Sequence, residues 1–541
     1  MTSFGTLLND LIDETVQTSL CHFAPELALS GTIVLLLLFR LFGAVDRWIP
    51  PYATTLLGSL VALGLCGAQL LELLDVNGAQ KPEPFFTGLL VFDHFGAFVR
   101  GLLALFLVLV VALTVLTGIP DREDGPDFYS LMLGSTIGMM MMASANHMLM
   151  FFVGIEMASV PGYVMVGFLK GNRKSSEAAF KYVVYGAGAA GVMLYGISLL
   201  TGLLGTASLP EMASHLAIVL GDGGGAGTAE ARTILLAVLM VMVGLAFKLS
   251  LVPFHFWCPD VFEGASAEVA AFLSVASKGA AFALLVRFCL ALVGGNPGEH
   301  PEFFTGIGIG LGAIAAVTVT FGNLAAYSQT NVKRLLAYST IAHAGFMLMA
   351  VSALVVVLSN GASATGFDSA EAARMCIEGL LFYLFVYLFM NLGAFAVVAL
   401  LRNQTFSEEI DSFNGVGWQA PALCTCMAIC VFSLVGLPPL GGFWGKLVIF
   451  MSLFNIGSNV HWFMWVLLVV GGLNTVFSLF YYIRILKAMF MRQPMDEARP
   501  VEVPSAIGNY ALLIALPVLL LGLFPTWTTH LANDVARHFF P

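Results

Sequence analysis

Charge is scarce in this sequence. Only 10% of its 541 residues are Asp, Glu, Lys or Arg, against 59% hydrophobic. Soluble domains carry about 25% charged residues. That shortfall excludes a soluble globular fold, and a mean hydropathy of +0.90 points to an all-α polytopic membrane protein. No basic run occurs and the net charge is −10, which argues against nucleic acid as a partner. The N-terminal stretch MTSFGTLLNDLIDETVQTSL holds no Lys or Arg and so lacks the basic start of a signal peptide. Its Leu7, Leu8, Leu11, Ile12 and Val16 fit a short amphipathic segment. There is no Walker loop, no CxxCH and no GxGxxG between a strand and a helix, so no nucleotide or haem signature is present. The eight cysteines are scattered. Cys424, Cys426 and Cys430 share one apolar helix with no nearby His and read as packing, as do Met139 to Met142. No metal or cofactor site is expected in this chain.

What is abundant is apolar sequence of membrane-spanning length, about 20 residues per run. Runs lie near 25–45, 52–74, 97–118, 128–146, 148–169, 178–203, 232–257, 265–293, 304–322, 334–358, 375–401, 420–455, 460–488 and 507–528, which predicts about fourteen transmembrane helices. The boundary between the fourth and fifth rests only on Ser144, Ala145, Asn146 and His147. With the N-terminus outside, the inside loops hold Arg40, Arg47, Arg122, Lys170, Arg173, Lys174, Lys333, Arg334, Arg402, Arg484, Lys487, Arg492 and Arg499, 13 of the 23 basic residues. The outside ends and loops hold only Lys81, Arg100, Arg232, Arg374 and Arg537. Cytoplasmic loops are the basic ones, so both termini are expected outside. The Gly-, Ala- and Ser-rich loops 204–231 and 359–373 then also fall outside.

Two spans are broken. One reads GLAFKLSLVPFHFW, with Pro253 after Lys248. The other reads FSLVGLPPLGGFWGK, with Pro438, Pro439 and four glycines ahead of Lys446 or beside it. They are the seventh and twelfth spans, five apart, and an odd offset reverses orientation. Interrupted helices at matching places in two inverted halves mark a transport fold. Freed backbone groups at such breaks need water or a polar partner.

The few ions inside the spans carry the chemistry. Five stand out: Glu156, Lys181, Lys248, Lys278 and Lys446. An ion in a bilayer is costly and is kept where something pairs with it or uses it, and lysine's proton affinity moves readily on burial. A row of buried lysines with a carboxylate reads as a proton path. Lys248, one turn before Pro253, is expected to pair with Glu156. Lys278 is expected to be a middle station and Lys446 the last. Snorkelling to the membrane edge competes for Lys446 and Lys181. His255 is a candidate to pass protons between Lys248 and Lys278, and His343 between halves; for both, a satisfied core histidine competes. Tyr163, Tyr338, Ser339 and Thr340 are candidates to line water, whereas His147 has no such role.

The run FKLSLVPFHFWCPDVFEGASAEVAAFLSVASKGAAF closely resembles subunit N of bacterial NADH:quinone oxidoreductase, respiratory complex I. GIEMASVPGYVMVGF, EAAFKYVVYGAGAAGVMLYGISLLTG, GNLAAYSQTNVKRLLAYSTIAHAGFML and VFSLVGLPPLGGFWGKLVIF resemble the same family, so the likeness covers about residues 125–455. The resemblance implies two inverted antiporter-like five-helix repeats. The expected division is 1–124 for peripheral helices 1–3, 125–295 for helices 4–8, 296–490 for helices 9–13 and 491–541 for helix 14. It implies a relay on Glu156, Lys248, Lys278 and Lys446, with Lys181 as the sixth-helix lysine. It further implies a non-redox, proton-translocating subunit of the bacterial inner membrane. NADH, FMN, Fe–S clusters and quinone would belong to partner subunits, and the neighbours would be the antiporter-like subunit M, small K- and J-type subunits and lipid. The family's GAP-x-PV reads Gly264, Ala265, Ser266, Ala267, Glu268, Val269 here. Glu268 is expected at a membrane edge within reach of water. The competing functions are a subunit of a multisubunit cation/proton antiporter and a passive membrane scaffold.

Overall fold

The computed structural model describes residues 11–42, 48–75, 81–121, 123–221, 228–294, 301–360, 367–493 and 504–539. The loop charges Arg47, Arg122 and Arg499 lie outside the described residues. Fourteen helical units follow in chain order: α1 (Ala24–Leu41), α2 (Pro51–Asp75), α3 (His94–Thr117), α4 (Gly125–Ala143), α5 (Met148–Val166), α6 (Arg173–Leu204), the broken α7a (Ala229–Leu249) and α7b (Trp257–Gly264), α8 (Ala267–Val293), α9 (Pro301–Ala326), α10 (Val332–Asn360), α11 (Ser369–Thr405), the broken α12a (Pro421–Val435) and α12b (Gly441–Asn459), α13 (Phe463–Met491) and α14 (Ser505–Leu523). Twelve of the described helices are long and apolar enough to cross a membrane. The two units outside that set are α4 and the broken α12, which complete the expected fourteen. The doubtful boundary between the fourth and fifth spans is a true helix end, closing at Ala143 and reopening at Met148 with His147 Nδ1 accepting from Leu149 N at 3.1 Å.

Both predicted breaks are present and are built alike. α7a stops at Ser250, which takes a left-handed φ of 59°, and α12a stops at Gly436 at 90°. Glycine is needed at a second position of the later break. A Cβ on Gly442 would lie 1.9 Å from the Ser433 carbonyl oxygen, which is closer than atoms pack.

Burial is uneven, and that places the site. The most apolar windows of α8, α10 and α11 are 100%, 94% and 94% buried, whereas those of α1, α2 and α13 are only 28% buried. A helix apolar on all sides belongs in the middle of a bundle. Hence α8, α10 and α11 form the centre, and α1, α2 and α13 present apolar flanks such as Leu57, Leu71 and Phe480 outward.

Three of the elements among the described residues that were not predicted frame the central bundle. A helix, Leu209–Gly221, lies inside the expected loop 204–231. An antiparallel hairpin pairs β1 (Glu83–Phe85) with β2 (Leu90–Phe92) in the register Glu83↔Phe92. A terminal helix α15 (Thr526–Phe539) stacks His538 on His94 at 4.2 Å and Phe539 on Phe95 at 4.6 Å. Each of the three is too short or too polar to give a spanning signal. Arg100, counted with the outside charges, is a correction. It is 1% exposed on α3 and pairs with Glu26 of α1, because a buried guanidinium demands a carboxylate.

Candidate functional site

Lys248 ends the last turn of α7a and is 1% exposed. Its Nζ donates to Ser159 Oγ of α5 at 2.8 Å, and the Ser159 hydroxyl donates to the Ile155 carbonyl at 2.6 Å. Glu156, half-buried on the same helix, is one turn from Ser159. Among the described ion pairs, Glu156 and Lys248 are not in direct contact; the carboxylate acts on the lysine through space. Thus the expected contact pair is replaced by a hydroxyl partner with the carboxylate behind it.

Lys278 sits mid-helix on α8, also 1% exposed, and donates to the Thr340 carbonyl of α10 at 3.0 Å. One turn earlier, Ser274 gathers hydroxyls from both other central helices. It lies 3.1 Å from Thr340 Oγ1 and 3.2 Å from Tyr387 OH, and it accepts from Asn391 Nδ2. His343, on the same helix as Thr340, bonds Tyr383 OH through Nδ1 at 2.6 Å and Tyr482 OH through Nε2 at 3.2 Å. Tyr482 in turn meets Ser339.

Lys446 lies in the second turn of α12b and folds back across the break. Its Nζ donates to the Leu434 and Val435 carbonyls at 3.0 and 2.9 Å, and lies 4.4 Å from the Phe346 ring centroid. The carbonyl end of α12a carries partial negative charge that favours an ammonium. At 3% exposed, Lys446 does not snorkel.

Two candidates stand apart from this line. Lys181 belongs to an ion cluster at the basic end, with Asp260 Oδ2 at 2.6 Å and Glu177 Oε1 at 2.9 Å. Arg334 joins the same cluster, reaching Asp260 at 2.7 Å and Glu263 at 2.9 Å, and Lys174 reaches Glu263 at 2.9 Å. Burial alone would raise both carboxyls, but hydrogen bonds from Lys181 and Arg334 to Asp260, and from Lys174 and Arg334 to Glu263, outweigh it and hold them below the ordinary range. His255 packs its ring 4.3 Å from Phe256 and 4.5 Å from Phe321, and its buried Nδ1 has no hydrogen-bond partner. It bonds neither lysine.

Sequence reasoning missed Ser159, Ser274, Tyr383, Tyr387, Asn391 and Tyr482. Their signal was a polar side chain deep in an apolar run, as in LFMNLGAF around Asn391. It also missed Arg287 of α8, which forks onto Asp93 at 2.8 and 3.0 Å and donates to the Ala143 carbonyl at 2.6 Å. Glu268 is corrected: it is 1% exposed, held in the first turn of α8 between packed helices rather than at a wet edge.

Residues 145–475 match the family described as NADH:quinone oxidoreductase/Mrp antiporter, TM. A protein named NADH-quinone oxidoreductase subunit N from Anaeromyxobacter sp. (strain Fw109-5) is 38% identical over 534 residues, covering 96% of each chain. The chain belongs to the subunit N family of NADH-quinone oxidoreductase. It is therefore an antiporter-like membrane subunit of an oxidoreductase complex. A relative named F(420)H(2) dehydrogenase subunit N, from Methanosarcina mazei, is 33% identical over 96% of this chain and 99% of its own. Among solved structures, respiratory complex I from Thermus thermophilus matches with a TM-score of 0.70 at 30% identity, over 94% of this chain and 99% of that one. The Mrp complex from Dietzia sp. DQ12-45-1b matches the fold with a TM-score of 0.78 at 17% identity, over 96% and 97%.

Proposed function

We propose that this subunit carries protons along Lys248, Lys278 and Lys446, driven by quinone reduction elsewhere in an inner-membrane complex. The observation that carries the reading is the kind of partner each lysine has. Lys248 holds a serine hydroxyl, Lys278 a threonine carbonyl and Lys446 two helix-end carbonyls. All three partners are neutral. A lysine held this way can lose its proton without stranding a carboxylate in the apolar interior. Arg100, Arg287 and Lys181, by contrast, are tied to carboxylates, as fixed structural ions are.

In this reading Glu156 is the charge whose changing pairing tunes Lys248, and the hydroxyls of Ser274, Thr340 and Tyr387 serve Lys278. His343 with Tyr383 and Tyr482 links the Lys278 level to α12b. Lys181 anchors the basic end rather than relaying, and His255 stays outside the line. The repeats run over 125–295 and 296–490, with 1–124 and 491–541 at the periphery. Both termini face the periplasm. NADH, FMN, Fe–S clusters and quinone reside in partner subunits, and the membrane neighbours are the M-, K- and J-type subunits.

The test is Lys278→Ala in inverted membrane vesicles energised with NADH, with assembly checked by mass spectrometry of the copurifying subunits. The proposal expects an assembled complex whose pH gradient is reduced by this subunit's share. A gradient of wild-type size would remove Lys278 from the path.

A further inference from the structure

A second polar cluster lies on the same three central helices as the Lys278 cluster, toward the basic end. Lys333, in the first turn of α10, is 3% exposed. Its Nζ donates to Glu408 Oε2 at 2.9 Å and to the Ala265 carbonyl at 2.5 Å. Glu408, whose side chain is 14% exposed, also meets Arg402 of α11 at 3.4 Å. Three residues beyond Ala265, Glu268 lies within electrostatic reach of Lys333 and of Tyr510 on α14. Lys333 and Tyr510 therefore face Glu268, and Glu408 and Arg402 lie behind Lys333. Tyr510 OH is already spent on the Leu109 carbonyl at 2.8 Å.

Glu268 differs from the other carboxylates in this molecule that sit beside cations. It is 1% exposed, and its Oε2 is buried with no hydrogen-bond partner. An acid kept only to balance Lys333 or the amino end of α8 would have both oxygens engaged, since an orphaned buried acceptor costs about 1–3 kcal/mol. A second orphan lies deeper. Asn391 Oδ1 is also buried without a partner, although its amide nitrogen donates to Ser274. Two orphaned oxygens on neighbouring helices are the places where water inserts into a polar path. The spacing suits such a path. Ser274 follows Glu268 by about 9 Å along α8, and Thr340 follows Lys333 by about 10 Å along α10.

We propose that Glu268 is the intake carboxylate that loads Lys278 from the basic end, with Lys333, Glu408 and Arg402 forming its mouth. Glu268 takes a proton from the medium at Glu408. It returns to the carboxylate when that proton passes through the Asn391–Ser274–Thr340 group to neutral Lys278. This inference rests on the relay reading above, and its test separates the two.

The experiment measures NADH-driven proton pumping and the solvent deuterium isotope effect on quinone reduction, in the assembled complex, for E268Q, E268D and K278A. E268Q is expected to pump several-fold more slowly with a larger isotope effect, because intake has become limiting; E268D, whose shorter acid lengthens the proton hop, is slowed less and shows a smaller rise in the isotope effect. A merely structural acid would leave the isotope effect unchanged. E268Q at wild-type values beside a defective K278A overturns the intake role and leaves the relay standing. K278A at wild-type values overturns the relay and this inference together. Should E268Q fail to assemble, E268D is read alone: slower pumping with a raised isotope effect supports the role, and a wild-type isotope effect overturns it.

Discussion

Lys248 shows at the scale of one residue why the identity of a partner matters more than burial. Its ammonium is enclosed by protein and held by Ser159 at 2.8 Å. A hydrogen bond to a charged group contributes about 1.5–3 kcal/mol. Ser159→Ala removes that stabilisation of the protonated form but leaves the lysine itself, whereas Lys248→Ala removes the station. The share of pumping that this subunit contributes to the assembled complex is therefore expected to fall partway in Ser159→Ala and almost completely in Lys248→Ala. Equal losses in the two would mean that the serine is itself a station. No loss in Lys248→Ala would discard the site.

At the scale of one element, α7b, the short helix after the first break, ties α6 to α10. Its Asp260 and Glu263 are gripped from one side by Lys174 and Lys181 of α6, and from the other by Arg334 of α10. Because both carboxyls are held below their ordinary values, their stabilisation is complete above the ordinary carboxylate range, about pH 4, and is lost as pH falls through the lowered values. Arg334→Ala should lower the thermal midpoint of the detergent-solubilised complex at neutral pH. That deficit should shrink as the pH falls below about 4, where the wild-type carboxylates are protonated too. A deficit independent of pH would show that Arg334 acts by packing instead.

Across the whole molecule, hydropathy made the helical units legible, twelve of the described helices being long and apolar enough to span, and Pro253 and the Pro438–Pro439 pair marked both breaks. The lysines were legible because an ion in an apolar run stands out. Their partners were not. Ser159 and Ser274 are ordinary residues in apolar helices, and only the fold brings the Ser159 hydroxyl to Lys248, the Thr340 carbonyl to Lys278 and Ser274 to the hydroxyls of Thr340 and Tyr387. For the same reason sequence spacing placed Glu268 at an edge, when the approach of α10 and α14 buries it. The hairpin and α15 were invisible because hydropathy over a spanning window averages out short elements. The central claim is that three lysines with neutral partners move protons as one line. The measurement that tests it most directly is the number of protons moved per electron by the purified complex in liposomes, with Lys248, Lys278 and Lys446 all replaced by Met. The account predicts an assembled complex that still reduces quinone when uncoupled, at a lower ratio by this subunit's whole share. A wild-type ratio from that assembled variant would contradict it.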